Sequence, residues 1–229
     1  MTRVVAALRE VLRPNAEVYQ LHLRIDRDWS FRAGQYLTVL HPSGLAIPFS
    51  IASAPERLPD LEIDFRPVPG ARDADAMLGL IAADASFEID GPFGRVTRQG
   101  PTPGTLRLIA GGTGIGQCRA IVEHLARCAQ RFDVTLVWSV RSEASLYGTA
   151  RLAELAREHR WLHVATRVDA PDGRSRVLLD IDTHGAPTED DVVISGTPGF
   201  VYAVVDAISA RGGDTARLRS DVFDYAPRP

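Results

Sequence analysis

Two hydrophobic rhythms divide this chain near residue 100, and no single sheet or bundle accommodates both. From Val4 to about Arg98 the apolar residues come in short runs broken by turn residues. Val18-Tyr19-Gln20-Leu21-His22-Leu23-Arg24-Ile25 alternates apolar with polar side chains, and Leu61-Glu62-Ile63-Asp64-Phe65-Arg66 does so again. A period of two marks strands with one buried face, so residues 1–99 are expected to fold as a small antiparallel barrel or sandwich. Gln99-Gly100-Pro101-Thr102-Pro103-Gly104 is a polar, Pro/Gly-rich break of the kind that separates domains. Beyond it, over 105–229, apolar strands alternate with helical stretches. The strands are expected at 106–110, 134–140, 161–168 and 192–195, and the helices at about 114–129, 149–158 and 198–210. That rhythm predicts an α/β unit with a doubly wound parallel sheet.

Within the second unit, Ile109-Ala110-Gly111-Gly112-Thr113-Gly114-Ile115-Gly116-Gln117 runs an apolar strand into a glycine-rich turn that opens a helix. Glycines let backbone approach a ligand closely, and a helix start offers unpaired N–H groups and partial positive charge to an anion. Ser195-Gly196-Thr197-Pro198-Gly199-Phe200 repeats the device, with Pro198 suited to a first helical turn. Ligands of such sheets bind at the carboxyl ends of the strands, where both turns fall. The first loop lacks the Gly-Lys-Ser/Thr ending of a phosphate-binding P-loop. It also lacks the acidic residue about 20 positions on that marks the commonest dinucleotide fold. Alone it is a weak signal that a ligand-free strand-to-helix turn also produces; two such turns in one sheet strengthen the nucleotide reading.

Composition narrows the class. A chain of 229 residues, 45% of them hydrophobic, supports two small cores. A net charge of −3, with 26 basic residues scattered among 29 acidic ones, gives no reason to expect nucleic acid. Charge at Arg3 and Arg9 interrupts any signal-peptide core, and no apolar run reaches the ~18 residues of a membrane span, so a cytoplasmic protein without membrane partners is expected. Cys118 and Cys128 fall on one expected helix, ~15 Å apart at ~1.5 Å per residue, and are expected to be reduced and buried. Two cysteines supply too few thiolates for an iron–sulfur cluster. His159 and His163 are four apart, but 161–164 reads as a strand, so no metal site is expected.

In the first unit, Ile47-Pro48-Phe49-Ser50-Ile51-Ala52-Ser53 sets an aromatic and a hydroxyl beside a proline. This suits a flat heterocycle as well as it suits a barrel strand with an edge proline. Asp90-Gly91-Pro92-Phe93-Gly94 by itself is only a β-turn.

Taken in order, these segments resemble the ferredoxin–NADP reductase superfamily, most closely its stand-alone NAD(P)H:flavin oxidoreductases. The family's Arg-x-Tyr/Phe-Ser/Thr flavin motif corresponds to Ile47 through Ser50, and its Gly-Pro-x-Gly to Gly91 through Gly94. Its Gly-Gly-Thr-Gly loop corresponds to Gly111 through Gly114 and its late Gly-Pro-like turn to Gly196 through Phe200. Arg32-Ala33-Gly34-Gln35-Tyr36-Leu37 is similar to the family's Pro-Gly-Gln-Tyr strand start. Trp138-Ser139-Val140-Arg141, with Leu146-Tyr147 following, is similar to its Gly-x-Arg segment near the nicotinamide nucleotide.

The resemblance implies a flavin-binding antiparallel β-barrel followed by a nicotinamide-binding domain, with hydride transfer from NADH or NADPH to flavin N5 between them. Pro48, Phe49, Ser50, Ile51, Gly91, Phe93, Phe223 and Tyr225 are then candidates for binding FAD, FMN or riboflavin, with Ser50 beside N5 as the catalytic group. Gly111, Gly112, Thr113, Gly114, Arg141, Gly196, Thr197 and Pro198 are candidates for the nicotinamide nucleotide.

Two departures bear on function. Ile47 stands where the family places an arginine on the flavin phosphate, and Asp75 aligns with its second, hydroxyl anchor. Without these the flavin is expected to be a weakly held substrate of a flavin reductase. One alternative is an FAD-bearing reductase feeding a ferredoxin or oxygenase; another is a reductase-like binding or regulatory subunit. NADH and NADPH stay open, with Arg167, Arg174 and Arg176 as candidate cations for a 2′-phosphate.

Overall fold

The computed structural model describes residues 2–83, 86–96, 105–128, 133–184 and 191–228, so the break at 99–104 lies outside the described residues. The first unit is built from β1 (Val4–Leu12), β2 (Tyr19–Arg24), β3 (Tyr36–Leu40), β4 (Ala46–Ser50), β5 (Asp60–Phe65) and β6 (Phe87–Phe93). They pair antiparallel in the order β4-β3-β6-β1-β2-β5. An antiparallel bridge between Ile51 and Ile63, with Ala52 N–H donating to the Glu62 carbonyl at 2.8 Å, brings the two edges together. The sheet is therefore a barrel, which leaves no open edge there. Leu21, Leu23, Leu37, Leu61 and Ile63 fill it, following the period of two along each strand. Helix α1 (Arg72–Ala82) packs against the same core through Ala74 and Met77. Gly91-Pro92-Phe93 is not a separate turn: it continues β6, which pairs Phe93 with Tyr36.

In the second unit β7 (Leu106–Gly111), β8 (Val134–Val140), β9 (Leu162–Val168), β10 (Asp191–Ser195) and β11 (Leu218–Arg219) lie parallel in the order β11-β10-β7-β8-β9. Helices α2 (Ile115–Arg127) and α3 (Thr149–Glu158) pack on one face, over Leu108, Leu136 and Trp138. Helices α4 (Arg176–His184) and α5 (Pro198–Ala210) cover the other, over Ile109 and Ile194. From β7 the chain winds outward through β8 and β9, then returns to β10 on β7's other side. The carboxyl ends of β7 and β10 therefore flank the switch point, where the two glycine-rich turns meet.

Helix α2 stops at Arg127, two residues before the expected end, because Cys128 is already extended (φ −89°, ψ 141°). Both cysteines are free thiols; Cys118 is buried as expected, whereas Cys128 is only half-buried. Residues 222–225 form a short helix, α6 (Val222–Tyr225). Among the described residues no helix is long and apolar enough to cross a membrane.

The two units dock through β5. Its odd positions fill the barrel, yet Glu62 and Asp64 on the other face are 6% and 9% exposed, because α2 lies across them. Gly116 permits the approach: a Cβ there would stand 2.7 Å from Asp64 Oδ2 and 2.8 Å from the Ala52 methyl. Arg119 donates to Glu62 Oε2 at 2.9 Å and to the Ala52 carbonyl at 3.1 Å. Tyr147 Oη donates to Asp64 Oδ2 at 2.9 Å, and Gln20 Nε2 to Asp64 Oδ1 at 3.1 Å. Buried charges persist only when paired in this way.

Candidate functional site

Two adjoining cavities open at the carboxyl ends of β7 and β10. One, of about 230 Å³, is floored by Gly111, Gly112 and Thr113 and extends past Ser139, Val140 and Arg141 toward Asp169 and Ser175. The other, of about 360 Å³, lies against the barrel between Tyr36, β4 and Tyr225 and meets the second unit at Thr113, Gly114, Ser195, Gly196, Thr197 and Pro198. Arg66, Thr113 and Thr197 line both, so the two cavities form one cleft.

The floor explains its glycines. A Cβ on Gly111 would come within 2.6 Å of the Phe200 ring, one on Gly196 within 2.9 Å of it, and one on Gly114 would overlap the Ser195 carbonyl. These three are required by the contact between the two turns. Gly112 differs: it holds φ +54° with nothing within 4 Å of a Cβ, so its freed space faces the cavity. Trp138 Nε1 donates to the Gly112 carbonyl at 2.9 Å and fixes the loop. A 3-10 turn, Gly112–Gly114, leads into α2 without a side-chain cap, and Ile115 N–H donates back to the Gly112 carbonyl, so the N–H groups and positive dipole end offered to an anion are those of the glycine turn itself. At the second turn Thr197 Oγ1 accepts from Phe200 N–H at 3.4 Å, and Pro198 occupies the first turn of α5.

On the barrel side, β4 alternates. Ile47 and Phe49 lie opposite Val39 and Leu37 and turn into the core, with Phe49 edge-on to Phe65 at 5.9 Å. Pro48 and Ser50 lie opposite Thr38 and Tyr36 on the outer face. All four border the cavity, but the outward side chains are Pro48 and Ser50. Ile51 is wholly inside the barrel and does not line the cleft. Gly91 packs its backbone on Leu37, and Phe93 backs Tyr36 at 5.4 Å between ring centroids; neither borders the cavity.

Of the C-terminal aromatics, Tyr225 lines the cleft and meets Tyr36 edge-on at 5.6 Å, whereas Phe223 packs on Tyr202 at 5.9 Å, away from it. Tyr36 is the wall residue that sequence reasoning missed as a site residue. Its only signal was a place in a strand-start motif.

Charge is distributed unevenly. Asp73 borders the barrel cavity, whereas Asp75, two residues on, is exposed and does not. The Asp73 carboxylate accepts from Ala74 N–H at 2.9 Å and so occupies the start of α1 itself. Besides Arg141 in the nucleotide cavity, the cleft holds a second cation, Arg66, missed in the sequence, which sits where the cavities join and pairs with Glu17 at 3.7 Å. Burial raises the Asp64 carboxyl above its ordinary range, while Arg119 and the Tyr147 and Gln20 hydrogen bonds pull it back. Burial, then Asp64, pushes the Tyr147 phenol well up. Behind Tyr36, Asp221 is 3% exposed, and Gln117 Nε2 donates both to its Oδ2 and to the Gly34 carbonyl. Its Oδ1 faces Gly94 without a partner, and burial raises this carboxyl well above the usual range.

Residues 108–206 match a protein-family model described as an oxidoreductase NAD-binding domain. Over 221 residues the chain is 28% identical to terephthalate 1,2-dioxygenase, reductase component 1, of Comamonas sp, covering 93% of this chain and 66% of that protein. It is 25% identical over 228 residues to a probable flavin reductase of Photobacterium leiognathi, covering 95% of this chain and 97% of that one. The crystal structure of the Amycolatopsis cytochrome P450 reductase GcoB matches with a TM-score of 0.83 at 27% identity, over 96% of this chain and 69% of that one. The chain spans about two thirds of the length of the dioxygenase reductase components it matches.

Proposed function

Since the chain is a ferredoxin–NADP reductase-type protein carrying an oxidoreductase NAD-binding domain, we propose that it is an NAD(P)H:flavin oxidoreductase whose flavin is an exchangeable substrate. The observation that carries this reading is the single cleft: Thr113, Thr197 and Arg66 border both cavities, so ring systems bound in each meet there. When bound, the two nucleotides supply the chemistry, a hydride passing from nicotinamide C4 to flavin N5. The protein's part is placement and exclusion of water.

Each residue has a task in this reading. The Gly112–Gly114 turn that leads into α2 receives the pyrophosphate, and Gly111, Gly114 and Gly196 keep the two turns in contact. Thr113, Thr197 and Pro198 border the junction where the nicotinamide lies, and Arg141 borders the adenosine end. Tyr36 and Tyr225 wall the flavin ring, the Phe49 edge supports it from the core, and Ser50 offers its hydroxyl beside N5. Gly91 and Phe93 act at one remove, by holding β6 and Tyr36.

The flavin's tail has little to hold it. Ile47 spends its side chain in the barrel core, and Asp73 places a carboxylate at the helix start where a phosphate would dock. Loss of one charge-assisted hydrogen bond is worth ~1.5–3 kcal/mol, roughly tenfold to more than a hundredfold in affinity. A cleft of this design releases its flavin. The likeness to a dioxygenase reductase component and to a cytochrome P450 reductase favours a second reading, a resident FAD feeding a ferredoxin or oxygenase. A cytoplasmic setting belongs to both readings.

Absorbance after gel filtration, followed by NADH and NADPH oxidation with added riboflavin, FMN or FAD, tests the proposal. Colourless protein that turns over only with added flavin is the expected result. Stoichiometric bound flavin favours the second reading, and no turnover with any flavin leaves a binding or regulatory subunit.

A further inference from the structure

We propose that Asp169 makes the nucleotide cavity selective for NADH over NADPH, an inference that rests on the Gly111–Gly114 cradle holding a nicotinamide dinucleotide. The cradle sits in the middle of the cleft. The nicotinamide end must run toward the barrel, past Thr113 and Thr197, so the adenosine end runs the other way, along the carboxyl ends of β8 and β9. There the cavity is lined by Ser139, Val140, Arg141, Asp169 and Ser175.

Asp169 is fixed in that position. Its N–H donates to the Val140 carbonyl at 2.9 Å, and its Oδ1 accepts from Ser139 Oγ at 3.3 Å, with Ser175 Oγ 3.4 Å from Ser139 Oγ. This leaves Oδ2 to accept from a ribose hydroxyl. A 2′-phosphate has no such proton to give and brings roughly −1.5 to −2 charges against the carboxylate at contact distance, where salt screens little.

The cations that could reverse the sign are committed elsewhere or solvated. Arg167 Nε binds Asp180 Oδ2 at 2.5 Å, and Arg174 Nε binds Asp172 Oδ2 at 2.7 Å. Neither these nor Arg176 borders the cavity, and Arg141 is exposed at its rim. Specificity then comes from repulsion of the wrong nucleotide as much as attraction of the right one.

Calorimetric titration of the intact protein with NAD⁺ and NADP⁺ reads this without turnover. The expected result is a Kd for NAD⁺ at least ~10-fold lower than for NADP⁺, with Asp169→Asn narrowing the ratio to within ~3-fold, chiefly through tighter NADP⁺. Arg141→Ala should weaken both alike. Equal or tighter NADP⁺ binding by the native protein overturns the proposal, as does an unchanged ratio in Asp169→Asn or a loss confined to NADP⁺ in Arg141→Ala. Binding of neither nucleotide removes the cradle reading itself, and the selectivity with it.

Discussion

Tyr147 donates a 2.9 Å hydrogen bond to Asp64 across the junction of barrel and sheet, and each residue lines a different cavity of the cleft. One contact thus ties a wall of the nucleotide cavity to a wall of the barrel cavity. Asp64 also faces Arg119 at 3.8 Å and accepts from Gln20, so the carboxylate is held from both units. The cleft's geometry depends on this buried polar layer, beside the apolar contact that Val18, Ala33 and Val96 make with the second unit's core.

Tyr147→Phe keeps the ring, including its edge-on contact with Trp138 at 5.5 Å, and removes only the hydroxyl. It leaves a buried carboxylate short of one donor, so a stability loss of ~1–3 kcal/mol is expected. Urea unfolding measures it. An unchanged midpoint means that Arg119 and Gln20 satisfy Asp64 by themselves.

Much of this was legible in the sequence, and the exceptions share a cause. Alternation located β2 and β5 to within a residue, and the two glycine-rich turns fell at the switch point. The same alternation marked Glu62 and Asp64 as a solvated face, because burial by a second domain leaves no periodic trace. A hint was available in Arg119, the one charge in the mostly apolar run Ile115–Val122 of α2. The flavin-motif reading made Phe49 and Ile51 ligand contacts, yet pairing with Leu37 turns Phe49 inward and Ile51 lies wholly inside the barrel. Asp75, aligned with the hydroxyl anchor, does not border the cavity, whereas Asp73, two residues earlier in the first turn of α1, does.

Asp221 gives stability a pH dependence of known sign. Its folded-state carboxyl titrates well above the ordinary value of ~3.9, so folding favours the protonated form. The native state then binds more protons than the unfolded chain. This contribution is complete below ~pH 3.9 and is lost as pH rises through the higher folded value, with a slope of at most ~1.4 kcal/mol per pH unit. Asp221→Asn keeps an acceptor for Gln117 and cannot ionise. Urea midpoints between pH 4.5 and 8 should show the native protein losing ground to the variant as pH rises. A pH-independent difference would mean that the carboxyl is ionised in the fold throughout.

The glycine floor separates folding from binding. Gly114→Ala drives a Cβ into the Ser195 carbonyl, backbone that cannot move aside, and should cost ~1–3 kcal/mol or more. Gly112→Ala meets no protein atom within 4 Å, so its cost is the positive φ alone, ~1–2 kcal/mol, yet its methyl enters the space assigned to the pyrophosphate. Thermal melts should rank Gly114→Ala well below Gly112→Ala. Titration with NAD⁺ should find binding weakened at least ~10-fold in the folded Gly112→Ala protein. Full binding by that variant would move the dinucleotide off this loop.

Asp73 offers the sharpest view of which flavin the cleft prefers. Its side chain is exposed, borders the barrel cavity and accepts from Ala74 N–H in the first turn of α1. A flavin phosphate directed there meets like charge, while riboflavin, which has none, does not. Asp73→Asn preserves an acceptor for Ala74 and removes the charge. The KM for FMN and FAD should fall ~3–10-fold at low ionic strength with riboflavin unchanged, and the gain should shrink toward 0.5 M salt, because exposed charges are screened over ~10 Å or less. Steady-state assays across the three flavins at two salt concentrations separate the outcomes. An equal change for riboflavin would place the effect on the ring rather than the phosphate. No change for any flavin would mean that the tail leaves the cleft by another path, toward the guanidinium of Arg66, where the cavities join.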